Sequence, residues 1–238
     1  MMDYLVVRHR ASVNKDLLQE VVRLSLPSLE KRTLLDWMYT KGLWDVNENI
    51  ESGFTILRYA TIDVNVVGYF LDRGADPNLG RHLDIWRAYW GADRLVHTSG
   101  AALDAAVRHR NVETVEILVQ RGATMDNADV IHAAIENDDE IMLKKLLELG
   151  ADLYRIERFS LDSGDAPLLS AITQGKVRMV RVLLEWGAEL SRSGKHGVTP
   201  LEMVTKGWVN PQIRQMVVQA SREERSTSTN ARERLTSQ

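Results

Sequence analysis

The chain has 238 residues, enough to bury a core without a metal or a disulfide. It contains no cysteine, which excludes disulfide frameworks, thiolate zinc sites and cysteine nucleophiles. Lys and Arg number 30 against 33 Asp and Glu, a formal net charge of −3, so no global field favours nucleic acid.

The opening Met1-Met2-Asp3-Tyr4-Leu5-Val6-Val7-Arg8 is too short in apolar residues for a signal-peptide core, and no later run reaches the length of a membrane span. The expectation is an intracellular protein, cytoplasmic or nuclear, with no membrane insertion. In the first 47 residues, Leu17, Leu18, Val21, Val22 and Leu24 fall at helical spacing before a break at Pro27. A second helical run through Leu34, Leu35, Trp37 and Met38 ends at Gly42, followed by Asp45-Val46-Asn47.

Four later apolar runs, each reading as the last turns of a one-faced helix, close on Gly-Ala: at Gly74-Ala75, Gly122-Ala123, Gly150-Ala151 and Gly187-Ala188. Glycine is expected there because the residue just past a helix end usually adopts a left-handed conformation that penalises a Cβ. Ala101, Asp129 and Ala166 each stand 21 positions ahead of one of these glycines and open a further apolar stretch. A looser copy opens at Thr55 and reaches Gly74 in 19 positions, so its inter-helix turn reads as short. The clearest opening is Thr199-Pro200-Leu201-Glu202, where Thr199 can accept bonds from the free amides of the first turn and Pro200 loses nothing by lacking an N–H.

These stretches resemble the Thr-Pro-Leu-His-x-Ala opening of the ankyrin repeat, a β-turn and two antiparallel helices of about 33 residues. The resemblance implies an all-α, ankyrin-like helix-turn-helix solenoid of about five to six units with terminal caps. Residues 1–47 read as a degenerate N-terminal capping repeat, 48–220 as the array and 221–238 as a polar, flexible tail. The connector after Gly74 carries an insertion, residues 79–98, in which Leu83, Trp86, Tyr89 and Trp90 fall at helical spacing. This aromatic stripe either packs the insertion onto the first clear repeat or supplies anchors for a partner.

By resemblance, the groove of such an array is lined in turn by Glu51, Ser52, Phe54, Ile62 and Asp63; His97, Thr98, Arg108 and His109; Met125, Asp126, Glu136 and Asn137; Asp162, Ser163, Asp165, Thr173 and Gln174; and Lys195, His196, Val198 and Lys206. The candidate partner-binding set is Trp86, Tyr89, Trp90, His97, Arg108, His109, Glu136, Asn137, Asp165, Thr173, Gln174 and Lys206. His132 occupies the family's histidine slot and is expected to bridge neighbouring turns. The resemblance implies a noncatalytic module for another protein, with no cofactor and no nucleic acid.

No phosphate loop, dinucleotide fingerprint, zinc-protease helix or nucleophile elbow is present. Asp138-Asp139-Glu140 lacks the alternation of a calcium loop and reads as a solvated inter-helix turn, so no metal site is expected. The alternative is an enzyme or a receptor for a small apolar ligand, with His97, His109, Arg108, Asp104 or Tyr89 moving protons beneath the aromatic insertion. A deep apolar pocket holding a histidine and a carboxylate in contact would favour it.

Overall fold

A computed structural model describes residues 15–81, 95–126, 128–154, 165–194, 197–205 and 208–236. They form twelve helices in two compact units that divide after residue 130.

In the first unit, α1 (Lys15–Arg23) and α2 (Ser28–Thr40) make one antiparallel pair, α3 (Ile56–Ala60) and α4 (Val64–Asp72) the next, and α5 (Ala101–Arg108) and α6 (Val112–Gln120) the third. Helix α3 packs between α1 and α5, and α4 packs between α2 and α6, so first helices form one layer and second helices the other. Leu18, Leu35, Ile56, Leu57, Phe70, Leu103 and Leu118 fill the space between the layers. The second unit repeats the plan with α7 (Val130–Glu136), α8 (Glu140–Glu148), α9 (Pro167–Thr173), α10 (Val177–Glu185), α11 (Pro200–Thr205) and α12 (Pro211–Thr236). There Met142, Leu146, Leu168, Val180, Leu183, Ile213 and Val217 are buried.

The Gly-Ala closures are the expected helix ends. Gly74, Gly122, Gly150 and Gly187 have φ of +86°, +94°, +88° and +83°. Each alanine N–H reaches a carbonyl five residues back and each glycine N–H one three residues back, as in Ala75 to Phe70 and Gly74 to Leu71. This paired bonding satisfies carbonyls that the helix end would otherwise orphan.

The turns are more regular than the sequence suggests. Residues 61–63, 109–111, 137–139 and 174–176 join the four central pairs. The second helix of each of these pairs has nine residues. The early repeat is short because α3 has five residues where α5 has eight, not because its turn is cut. Asp63, Asn111 and Asp139 close three of the turns by accepting amide bonds from the helix that follows.

Pairs are tied to one another by side chains reaching the closing glycines. Asn47 Nδ2 donates to the Gly74 carbonyl at 3.0 Å while its Oδ1 accepts from Asp76 N at 2.8 Å. Asn78 repeats the arrangement with Gly122 and Thr124 N, both at 2.8 Å. In the second unit Tyr154 stands in the corresponding place, and its hydroxyl donates to the Gly187 carbonyl at 3.1 Å.

The all-α expectation holds, and the described residues add detail to it. Besides the helices and an isolated antiparallel bridge between Glu51 and Phe54, they hold one antiparallel ladder, β1 (Gly80–Arg81) with β2 (Leu95–Val96), whose register pairs Gly80 with Val96 and Arg81 with Leu95. It draws together the two ends of the 79–98 insertion, whose central residues 82–94 lie outside the described residues. The acidic turn is engaged rather than merely solvated. Asp138 pairs with Arg178 at 2.6 Å, Asp139 caps α8, and Glu140 pairs with Lys144 at 2.7 Å. Finally, α12 continues to Thr236 through the stretch read as a tail. Arg and Glu are good helix formers there, and Gln219 bonds Glu223 one turn on at 3.1 Å.

Candidate functional site

The first helix of each pair buries most of its length, so its exposed chemistry collects at the C-terminal end and in the turn beyond. In α5, Ala101 through Val107 are all buried, and Arg108 and His109 are the first side chains to reach solvent. Arg108 Nε donates to Asp104 Oδ2 at 3.0 Å, one turn back along the helix. Asp104 is only 8% exposed, and its other oxygen has no hydrogen-bond partner. Burial pushes the Asp104 carboxyl above its usual range against the opposing pull of Arg108, with Asp129 adding a small push in the same direction.

His109 Nδ1 lies 2.9 Å from Thr61 Oγ1, whose hydroxyl donates to the Arg58 carbonyl at 3.0 Å. The Thr61 oxygen is therefore the acceptor, and Nδ1 carries the proton. Burial, then the charge of Arg58, lowers the His109 pKa. His97 lies on the turn after β2, 80% exposed, with Nδ1 2.6 Å from Asp76 Oδ2.

The residues considered for proton transfer thus enter three separate contacts: Asp104 with Arg108, His109 with Thr61, and His97 with Asp76. Tyr89 lies outside the described residues. A surface hollow of about 400 Å³ lies over His109, Arg110, Asn111, Val112 and Glu113. It follows the inter-helix turn and is lined by no carboxylate but Glu113.

In the second unit, Glu136 and Thr173 end their helices exposed, and Asn137 and Gln174 begin the turns. Thr173 and Gln174 direct hydrogen bonds back onto their own helix, the hydroxyl to the Leu169 carbonyl and Nε2 to Ser170 Oγ. Asp165 offers its carbonyl to His132 Nε2 at 3.1 Å. His132 is 2% exposed and bridges its pair to the next, as its place in the motif implies. Trp86, Tyr89, Trp90 and Lys206 fall outside the described residues.

One cluster was not anticipated. The Arg58 guanidinium stacks 4.1 Å from the Phe54 ring centroid and 5.7 Å from that of Tyr59. Arg81, from β1, lies 4.9 Å from Phe54, and Arg23, at the end of α1, lies 5.2 Å from Tyr59. The spacing from Phe54 to Arg58 is visible in the sequence, but Arg23 and Arg81 come from separate elements.

Against known proteins, the model of the family described as "Ankyrin repeats (3 copies)" matches residues 103–194. Residues 103–194 carry ankyrin repeats. Among curated relatives, the chain is 35% identical over 104 residues to a "BTB/POZ domain and ankyrin repeat-containing protein NPR5" of Oryza sativa subsp. japonica, covering 43% of this chain and 19% of that protein. It is 35% identical over 107 residues to a "B-cell lymphoma 3 protein homolog" of Mus musculus, covering 42% of this chain and 23% of that one. The chain therefore spans less than a quarter of the length of these relatives. A solved ankyrin repeat domain of Bcl-3 aligns over 85% of the chain and 97% of its own, with 24% identity and a TM-score of 0.48. Among the described residues, no helix is long and apolar enough to cross a membrane.

Proposed function

We propose that this ankyrin-repeat protein is a noncatalytic interaction module, an adaptor, scaffold or inhibitor, that holds a partner protein inside the cell. The observation that carries the reading is where the repeats leave chemistry exposed. Apolar faces and most turn amides are consumed within and between helix pairs, while Arg108, His109 and Glu136 stand outward at the ends of successive first helices. Repeats that contact only their neighbours present such helix ends to solvent within each unit. Specificity then lies in those exposed side chains rather than in the fold.

An enzyme reading draws less support, because the titratable candidates of the first unit face different partners instead of converging. The test is affinity capture from the native cell with the wild-type chain beside a His109→Ala, Glu136→Arg variant of equal melting temperature. A stoichiometric protein captured by the wild type and lost by the variant is the expected result. Absence of any captured protein, together with a tryptophan-fluorescence response to small apolar metabolites, overturns it.

A further inference from the structure

From the stacking of Arg23, Arg58 and Arg81 on Phe54 and Tyr59, the geometry points to a docking surface on the first unit for an acidic peptide segment of a partner protein. The inference rests on the reading of the protein as an interaction module and names the chemistry of its partner.

The three guanidiniums have aromatic faces beneath them and, among the described residues, no carboxylate bound to any of them. Arg23 is exposed, and Arg58 and Arg81 are half-buried. The nearby acids are already committed. Asp104 holds Arg108, and Glu51 Oε2 accepts from the Tyr59 hydroxyl and from Gln19 Nε2, each at 3.4 Å. Arg81 Nε is buried with no acceptor, which leaves one donor of that fork unmatched in the free protein.

A guanidinium held flat on a ring keeps its edge donors free and loses little freedom on binding, so it suits bidentate capture of carboxylates. The three, contributed by α1, α3 and β1, run across two rings in the order Arg81, Arg58, Arg23, with Arg58 shared between Phe54 and Tyr59. Such spacing matches successive acidic side chains of an extended segment. Nucleic acid fits less well. Phe54 is 8% exposed beneath Arg58 and Arg81, so its ring is not open to stack a base, and Tyr59 already carries Arg23 and Arg58. The net charge of −3 provides no long-range attraction for a phosphate backbone.

Fluorescence anisotropy with the full chain tests the surface. The probes are a labelled decapeptide alternating Asp and Glu, its Asn and Gln counterpart, and a labelled single-stranded thymidine decamer. The acidic peptide is expected to bind, and R58Q/R81Q to weaken it about tenfold, with the R58K/R81K variant retaining part of the affinity through charge alone. Arg121→Gln, which removes a guanidinium already paired with Asp72 at 2.7 Å, is expected to leave binding within about twofold. Thermal melts establish that each variant is folded. Equal binding by wild type and R58Q/R81Q, equal binding of the neutral peptide, or tighter binding of the thymidine decamer overturns the proposal. Capture of a native partner that is unaffected by R58Q/R81Q refutes this surface and leaves the module reading standing. Acidic-peptide binding that R58Q/R81Q abolishes supports the surface even where no native partner is captured.

Discussion

Asp104 grips Arg108 with one carboxyl oxygen at 3.0 Å and leaves the other buried with nothing to accept from. A carboxylate in that position costs solvation that its ion pair only partly offsets. Its folded pKa is raised, so between the ordinary carboxylate value of 3.8 and that raised value the folded state holds more proton than the unfolded chain. Stability therefore falls as pH rises through that window and is flat above it. Asp104→Asn is expected to flatten this slope and to add about 1 kcal/mol at neutral pH, or about 2–4 °C in Tm for a chain of this size. Melts of both proteins from pH 3 to 8 check it; a variant less stable at pH 7 with an unchanged slope refutes it.

His109 gives the opposite sign. Its folded pKa is lowered, first by burial and then by Arg58, so the contribution is present above the ordinary histidine value of 6.5 and is lost as pH falls through the folded value. Titration of the His109 ring by NMR is expected to give a midpoint below 6.5. Arg58→Gln is expected to move that midpoint upward, and no movement means the Arg58 charge does not reach the ring.

The inter-helix turns hold a testable strain. Gly175 is left-handed at φ +68°, and the same place is filled by Arg110 at +58° and Asp138 at +53°. Side chains with a Cβ are strained there by roughly 1–2 kcal/mol, against a smaller entropic cost of glycine. Arg110→Gly is expected to stabilise the protein by about 0.5 kcal/mol, whereas Gly122→Ala, at φ +94° with open space around its Cα, is expected to destabilise it by about 1 kcal/mol through backbone strain alone. Urea titrations decide both signs.

Asn78 bridges consecutive pairs by donating to Gly122 and accepting from Thr124. Asn78→Ala is expected to cost about 1–2 kcal/mol, and Tyr154→Phe about 1 kcal/mol through the lost bond to Gly187. Faster amide exchange at Thr124 in the first variant, with Val66 unchanged, locates the effect at the bridge.

The backbone plan was legible because its signals are local. A left-handed helix end demands glycine, an apolar stripe marks each second helix, and Thr199 with Glu202 makes a reciprocal cap, with amides accepted at 3.2 and 2.8 Å. The use of polar side chains was not legible, because their partners come from other pairs. Asp138 meets Arg178 forty residues away, and Arg23, Arg58 and Arg81 meet only where α1, α3 and β1 come together on Phe54 and Tyr59. Low apolar content likewise read as a tail at 221–238, where helix propensity and local pairs carry α12 onward.

The four-residue ladder of Gly80 and Arg81 with Leu95 and Val96 has an evolutionary consequence. It anchors both ends of the intervening stretch side by side on the first unit, so that stretch can lengthen, shorten or be exchanged without shifting the register of the helix pairs. Changes confined to residues 82–94 are thereby uncoupled from the spacing of the helix pairs on either side of the ladder.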